Sequence, residues 1–383
     1  MDIAHLTAKL KEQARDQGFS LVGVTTPDPP DHLDFFRSWL EAGHHGTMGW
    51  MGSDRSLRRR ADPREILPGC QSILSLAYPY PLPEQQPGRG QIACYAWNED
   101  YHHVLGEKLE TLVDFLQNQV DEEVSHRWYT DTGPILEREI ATRAGLGWIG
   151  KNTTLIHPRQ GSFFFLAEIL LSLPLVPDSP FEGEYCGTCS RCLEACPTGC
   201  LVEPYTLDAN RCISYLTIEY RESLPEELRP LLGEWIFGCD ICQQVCPWNQ
   251  RIEAAPAVDP ALAPRTEIIH PDLEQELELS EEAFRQKFRG SPIKRTKRRG
   301  YLRNVALALG NQARQGALPS LESALEDPEP LVREHAAWAV GEIGGNQARD
   351  VLQRTLKKET NPEVTREIKQ ALTRWEKSPP GTE

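Results

Sequence analysis

Five cysteines fall within fifteen residues in CGTCSRCLEACPTGC, Cys186 to Cys200. The spacing CxxCxxCxxxCP over Cys186, Cys189, Cys192 and Cys196-Pro197 is the run whose first three thiolates wrap a [4Fe-4S] cube while the fourth turns toward a second cube. That leaves the first cube one ligand short. GCDICQQVCPWN supplies it downstream, where Cys239, Cys242 and Cys246-Pro247 repeat the CxxC and CP pattern, with Cys212 between the two blocks. Cys186, Cys189, Cys192 and Cys246 are therefore assigned to one cluster, and Cys196, Cys212, Cys239 and Cys242 to the other. Cys200 could replace Cys212, but its place in the turn after the CP step assigns it to packing. Structural zinc favours paired CxxC units around a tetrahedron and has no need of the three-cysteine run. Two clusters with exchanged ligands make an electron relay, which requires a redox partner or prosthetic group beside it.

Nine of the eleven cysteines lie between Cys186 and Cys246, a clustering that reads as metal ligation in a reducing compartment. No apolar run approaches the roughly 20 residues that cross a bilayer, and MDIAHLTAKLKEQARDQG is polar and amphipathic rather than a signal peptide. A cytoplasmic protein without membrane contact is expected. The formal net charge of −15 excludes binding to polyanions through the overall field, so any nucleic-acid contact must be local. One segment meets that requirement: residues 285–303, RQKFRGSPIKRTKRRGYLR, hold nine Lys or Arg and no acid.

Ile3, Leu6, Leu10 and Ala14 recur at helical spacing until Gly18, and FSLVGV follows as a buried strand. SILSLAYPY is a second strand, and Val104, Leu105, Leu109, Leu112, Val113 and Leu116 mark a long amphipathic helix. TTLIHPRQGSFFFLAEILL reads as a hairpin of two apolar strands joined by a Pro and Gly turn. An α+β fold is expected for residues 1–180, then a ferredoxin-like domain over 181–255. A proline-bearing linker over 251–284 turns from acidic to basic by residue 300. Residues 301–378 repeat an apolar helical pattern at a period near 30, like HEAT repeats.

Three further motifs are weaker. GLGWIGKN fits a phosphate-binding loop only up to Asn152, where Ser or Thr is needed, and it follows a helical pattern instead of a strand. DYHHVLG approaches the DxHxxG signature of a cobalamin histidine ligand with its glycine one place late, so His102 and His103 read as surface or capping residues. On spacing alone, Asp131 in WYTDTGPILEREIA is a turn or capping residue.

DTGPILEREIATRAGLGWIGKN, GSFFFLAEIL, CGTCSRCLEACPTGC, RCISYLTIE, GCDICQQVCPWN and the HEAT-like terminus run in order through almost the whole chain. Together they resemble the epoxyqueuosine reductases. The resemblance implies a cobalamin-binding domain of nitroreductase type, two [4Fe-4S] clusters, and reduction of the epoxide on a modified base at the tRNA wobble position. It makes Asp131 the proton donor. It also implies cobalamin contacts at Arg60, Cys94, Asp131, Lys151, Asn152, Ser214 and Asp240. Tyr220 and Arg221 are expected on the tRNA anticodon stem-loop, with Lys294, Arg295, Lys297, Arg298, Arg299 and Arg303 of the basic run. The chain is expected to act as a monomer fed by a low-potential electron donor. A corrinoid reductase of small molecules would need neither the basic run nor the repeats, and a bare electron carrier would hold iron but no cobalt.

Overall fold

In the computed structural model, which describes residues 2–82, 89–252 and 259–377, the chain opens as its periodicity requires. Helix α1 (Ile3–Asp16) is capped by the Asp2 carboxylate and buries Leu6, Leu10 and Ala14. Gly18, at φ +96°, reverses the chain into strand β1 (Leu21–Thr25), and a side chain there would press on the Tyr78 ring. The short basic helix α2 (Asp54–Ala61) leads to β2 (Ser72–Pro79), in which all eight residues are buried. Helix α3 (Tyr101–Gln117) follows, then β3 (His126–Tyr129), the short helix α4 (Glu137–Arg143) and β4 (Phe164–Leu171).

These strands form one antiparallel sheet in the order β1-β2-β4-β3. The two inner strands read as near-continuous apolar runs because both of their faces are covered. On one face, Ile73 and Leu170 pack with Ile135 and Ile140, while Ala77 packs with Ala141 and Ala144, which seats α4 and the turn before it on the sheet. An antiparallel sheet with helices packed on it is the expected α+β class.

The expected hairpin does not form. Both edges of β4 are taken, by β2 and β3, so Leu155–Ile156 pairs instead with Trp148–Ile149 in a separate two-stranded ladder. Only the His157–Gly161 bridge survives from the predicted turn. By contacts the chain groups into two compact units. One compact unit comprises residues 1–83, 98–210 and 240–263; the other comprises 84–97, 211–239 and 264–383. Of the expected linker, residues 253–258 lie outside the described residues, and its later part forms the helices Leu273–Leu277 and Glu281–Lys287.

In the second unit, helix α5 (Ile213–Ile218) is followed by the repeat helices α6 (Lys297–Gln312), α7 (Leu318–Ala324), α8 (Pro330–Ile343), α9 (Gly345–Leu356) and α10 (Pro362–Lys377). Every residue of α6 from Gly300 to Gly310 is buried, so this helix is a core element and not an amphipathic cover. Its Gly310 lies against Trp338 and Ala339 of α8, where a β-carbon would come within 2.6 Å of the indole. Arg229 is buried and meets Glu367 at 2.9 Å and Glu334 at 3.7 Å, while the Ser223 hydroxyl donates to Glu334. These contacts fasten the segment before Leu232 to α8 and α10.

One carboxyl is buried inside the sheet. Glu168 of β4 is fully enclosed, with Ser75 Oγ at 3.4 Å from one oxygen and no hydrogen-bond partner on the other. Burial first, and the neighbouring Glu137 next, hold its pKa well above the ordinary value of 4.5. The folded chain therefore keeps this proton to higher pH than the unfolded chain, and its contribution makes stability fall as pH rises above 4.5. Glu168→Gln should flatten that fall and gain stability over wild type most at alkaline pH, as urea titrations across a pH series would record; an unchanged slope would contradict the assignment.

Candidate functional site

The first set of thiols converges. Cys186, Cys189, Cys192 and Cys246 line one cavity of about 180 Å³ together with Lys151, Asn152, Tyr185, Arg191, Trp248 and Arg251. Local structure explains the convergence. The Cys189 amide closes a turn on the Cys186 carbonyl at 2.9 Å, and Cys192 rides the helical turn Arg191–Ala195. Cys246 precedes Pro247, which starts the turn Pro247–Gln250. Behind them Trp148, Phe181, Tyr185 and Trp248 pack at 5.2 to 6.1 Å, Trp148 and Phe181 stacked and the other pairs edge on face, and Tyr185 and Trp248 give the cavity apolar surface.

Burial pushes the Cys192 thiol up to about 11 and raises Cys186 and Cys246 as well. Sulfurs in such a place become thiolates only when a cation replaces their protons, as cluster iron does. The donor set therefore fits a cubic cluster, with a cationic rim of Lys151, Arg191 and Arg251 to offset its charge. The Lys151 ammonium donates to the carbonyls of Gly187 at 2.5 Å and Cys189 at 3.1 Å, and the Asn152 amide donates to the Cys242 carbonyl at 3.3 Å. Both residues, which the resemblance puts at cobalamin, also brace the cysteine loops through these bonds.

The second set is carried by both units, Cys196 and Cys242 in the first and Cys212 and Cys239 in the second. Cys200 is buried, with its sulfur 3.4 Å from that of Cys196. Hydrogen bonding from Cys200 and then Thr198 brings Cys196 down to about 4, which favours its thiolate. All eleven cysteines are unbridged.

Elsewhere in the first unit, Asp131 occupies a left-handed backbone conformation, φ +61°, between β3 and α4, and is exposed. The Tyr101 hydroxyl donates to its Oδ2 at 2.8 Å, and the Tyr101 ring stacks on Phe165 of β4 at 4.2 Å and 12°. The Asp131 amide donates to Glu137 Oε1 at 2.8 Å. Burial first, then the Asp131 charge, push Glu137 up to about 8, while Arg138 and Arg60 pull it back. Arg60 is buried, lies over the Phe36 ring at 5.2 Å and bonds Ser56, leaving its other N–H groups without a described partner. Asp240 is buried in the same unit, whereas Cys94, fully buried, and Ser214, half-buried, belong to the second.

The basic run divides by fate. Lys294, Arg295, Lys297 and Arg299 are exposed, with Arg295 paired to Glu219 at 2.5 Å. Tyr220 and Arg221 are half-buried beside them, and Arg221 feels the charges of Arg295 and Arg299. Arg298 turns inward instead, onto Asp327 at 2.5 Å and the Leu279 carbonyl at 2.6 Å. Arg303 is wholly buried and donates to the carbonyls of Leu216 at 2.6 Å, Tyr220 at 2.9 Å and Glu222 at 2.8 Å. These two were expected at tRNA phosphates; a charge run on a helix that is buried all round must send some side chains inside. Sequence reasoning missed Tyr101 and Glu137, since nothing in the spacing links residue 101 to residue 131.

Four thiols around one cavity, at the spacing of a cluster-binding run, in a chain that also exposes an acid on a left-handed turn, point to iron–sulfur redox chemistry. The family described as 4Fe-4S double cluster binding domain matches residues 185–249, the epoxyqueuosine reductase QueG family matches residues 60–132, and HEAT repeats match residues 298–373. The epoxyqueuosine reductase of Pseudomonas aeruginosa is 40% identical over 352 residues, covering 90% of this chain and 96% of that protein. An epoxyqueuosine reductase solved with an epoxyqueuosine-modified tRNA-Tyr stem loop matches with a TM-score of 0.89 at 35% identity, covering 97% of this chain and 99% of the other. The Bacillus subtilis enzyme, solved with an aspartate catalytic loop swung out of the active site, matches at 0.88 and 34% identity over 97% and 99%. The chain belongs to the epoxyqueuosine reductase family.

Cys246→Ala opens the cavity at its fourth corner. After anaerobic reconstitution it should retain about four irons per chain against about eight in wild type, read by iron and sulfide assay; a wild-type iron count would remove Cys246 from the ligand set.

Proposed function

We propose that this chain reduces epoxyqueuosine to queuosine at the wobble position of tRNA, with cobalamin and two [4Fe-4S] clusters as its cofactors. What carries this reading is the family membership over 90% of the chain, joined to an exposed Asp131 held by Tyr101 and Glu137. Converting the epoxide to an alkene and water takes up two electrons and two protons. The bound clusters and cobalamin supply the electrons. The residues of the chain supply geometry and protons.

Asp131 delivers a proton to the epoxide oxygen as the carbon–oxygen bond breaks, a task that needs a carboxyl kept in reach by a fixed loop. Arg60 fits a corrin contact, since a buried guanidinium with N–H groups to spare suits the amide rim and phosphate of cobalamin. Ser214, Asp240 and Cys94 complete the proposed cobalamin contacts. Lys294, Arg295, Lys297 and Arg299 hold the phosphates of the anticodon stem-loop, while Tyr220 and Arg221 meet its bases. The enzyme works as a cytoplasmic monomer supplied by a low-potential electron donor; eleven unbridged thiols and the absence of a membrane-spanning helix among the described residues agree with that setting.

Asp131→Asn should bind cobalamin as wild type does, seen in its absorption spectrum, and lose about 100-fold or more of its turnover on epoxide-bearing tRNA. Cobalt-loaded wild type that leaves the epoxide nucleoside intact would defeat the substrate assignment.

Changing Lys294, Lys297 and Arg299 together to Ala should lower the slope of log affinity against log salt by about 2 to 3 for a tRNA stem-loop. The exposed side chains are chosen here because Arg298 and Arg303 are spent inside the fold. An unaltered slope would exclude the patch.

A further inference from the structure

We infer that Glu137 is the positioning residue of the acid loop, holding Asp131 by its backbone amide so that its carboxyl stays in the place where Tyr101 meets it. This deepens the proposed function and rests on Asp131 as proton donor. A non-glycine residue in the left-handed region costs energy that the surroundings must offset. Three contacts hold this stretch without touching the Asp131 backbone. Tyr101 grips the side chain, the Thr130 hydroxyl donates to the Leu166 carbonyl at 2.8 Å, and the Thr132 amide reaches back to the Thr130 carbonyl at 2.7 Å. Only Glu137 binds the amide of Asp131 itself, at 2.8 Å. Gly133 then passes so close under the Tyr129 ring that a β-carbon would lie 2.5 Å from it, so the loop has one path into α4.

The same contact couples the loop to pH. Groups from every side face Glu137: Asp131 in the loop, Arg138 on its own helix, Arg60 on α2 and Glu168 beneath it on β4. Arg138 and Arg60 act against the Asp131 charge, and burial, the largest influence, tips Glu137 toward its neutral form near neutral pH. Above a pH of about 8, a second negative charge arises beside Asp131. That charge opposes the negative charge developing on the epoxide oxygen, so turnover falls on the alkaline side.

The test uses the full, cofactor-loaded chain and compares Glu137→Ala with Glu137→Gln, which keeps an oxygen to accept the amide. Hydrogen exchange by mass spectrometry should show residues 130–136 exchanging about 10-fold or more faster in Glu137→Ala and near wild type in Glu137→Gln. In Glu137→Ala, kcat on modified tRNA should drop about 10- to 100-fold while KM moves little. Glu137→Gln should retain most of its kcat near neutral pH and lose the alkaline limb near 8. Wild-type exchange of 130–136 in Glu137→Ala would overturn the inference. So would a loss of activity matched by lost cobalamin and lost melting temperature, since that describes a structural residue. Exchange is read without substrate, so it stands apart from any failure of the tRNA assay.

Discussion

Strand β4 is hydrogen-bonded along both edges, and most of what the first unit does follows from that. With β2 and β3 as its partners, the backbone of Phe164–Leu171 cannot slip by a residue without sending its apolar side chains to the wrong face. The fixed register puts Phe165 under the Tyr101 ring and the Leu166 carbonyl at the Thr130 hydroxyl. It also puts Glu168 beneath Glu137. The acid loop is thus a rigid appendage of the sheet, tied at three points to one strand or to residues stacked on it. A carboxyl on a free loop would sample many positions. Here the sheet converts a strained turn into a defined one.

The charges of the chain follow a second logic, in which burial decides what a charged side chain can be used for. A net charge of −15 repels a polyanion as a whole, yet four exposed cations are gathered within six residues. Next to them, Arg303 and Asn304 face inward and use their donors on the carbonyls of Leu216, Thr217, Tyr220, Glu222 and Ile236. Chain carbonyls that would otherwise lie buried without partners are satisfied by one guanidinium and one amide. That clamp fixes the backbone which displays Tyr220 and Arg221. Arg303 therefore shapes the fold of that segment, its charge spent on chain carbonyls.

Spacing made the convergence of the first four thiols legible, because the geometry of a cube dictates how few residues may separate neighbouring thiolates. Cys186, Cys189, Cys192 and Cys246 meet around one cavity although Cys246 lies far along the chain. Periodicity likewise marked α1, α3 and the strands β1 and β2. Pairing was not legible, because a short apolar strand such as Leu155–Ile156 carries no label naming its partner. Direction within a charged run was hidden for the same reason. Arg298 and Arg299 are adjacent and chemically identical, and only the helix phase sends one to Asp327 and the other to solvent.

Proton and electron delivery have opposite physical needs, and the chain meets them with different residues. Thiols of raised pKa require cations to become ligands, so the cluster cavity is rimmed by Lys151, Arg191 and Arg251. A buried carboxyl that is to stay protonated requires the reverse, enclosure beside other carboxyls with cations held to a minimum. Glu137 and Glu168 are raised in this way beside Asp131, and Arg138 and Arg60 pull Glu137 part of the way back. A cationic rim at the acid would strip its proton, while carboxyls lining the thiol cavity would oppose thiolate formation. Keeping the two environments on separate groups of residues lets one chain hold a cation-rimmed set of thiols and a pair of protonated carboxyls at the same pH.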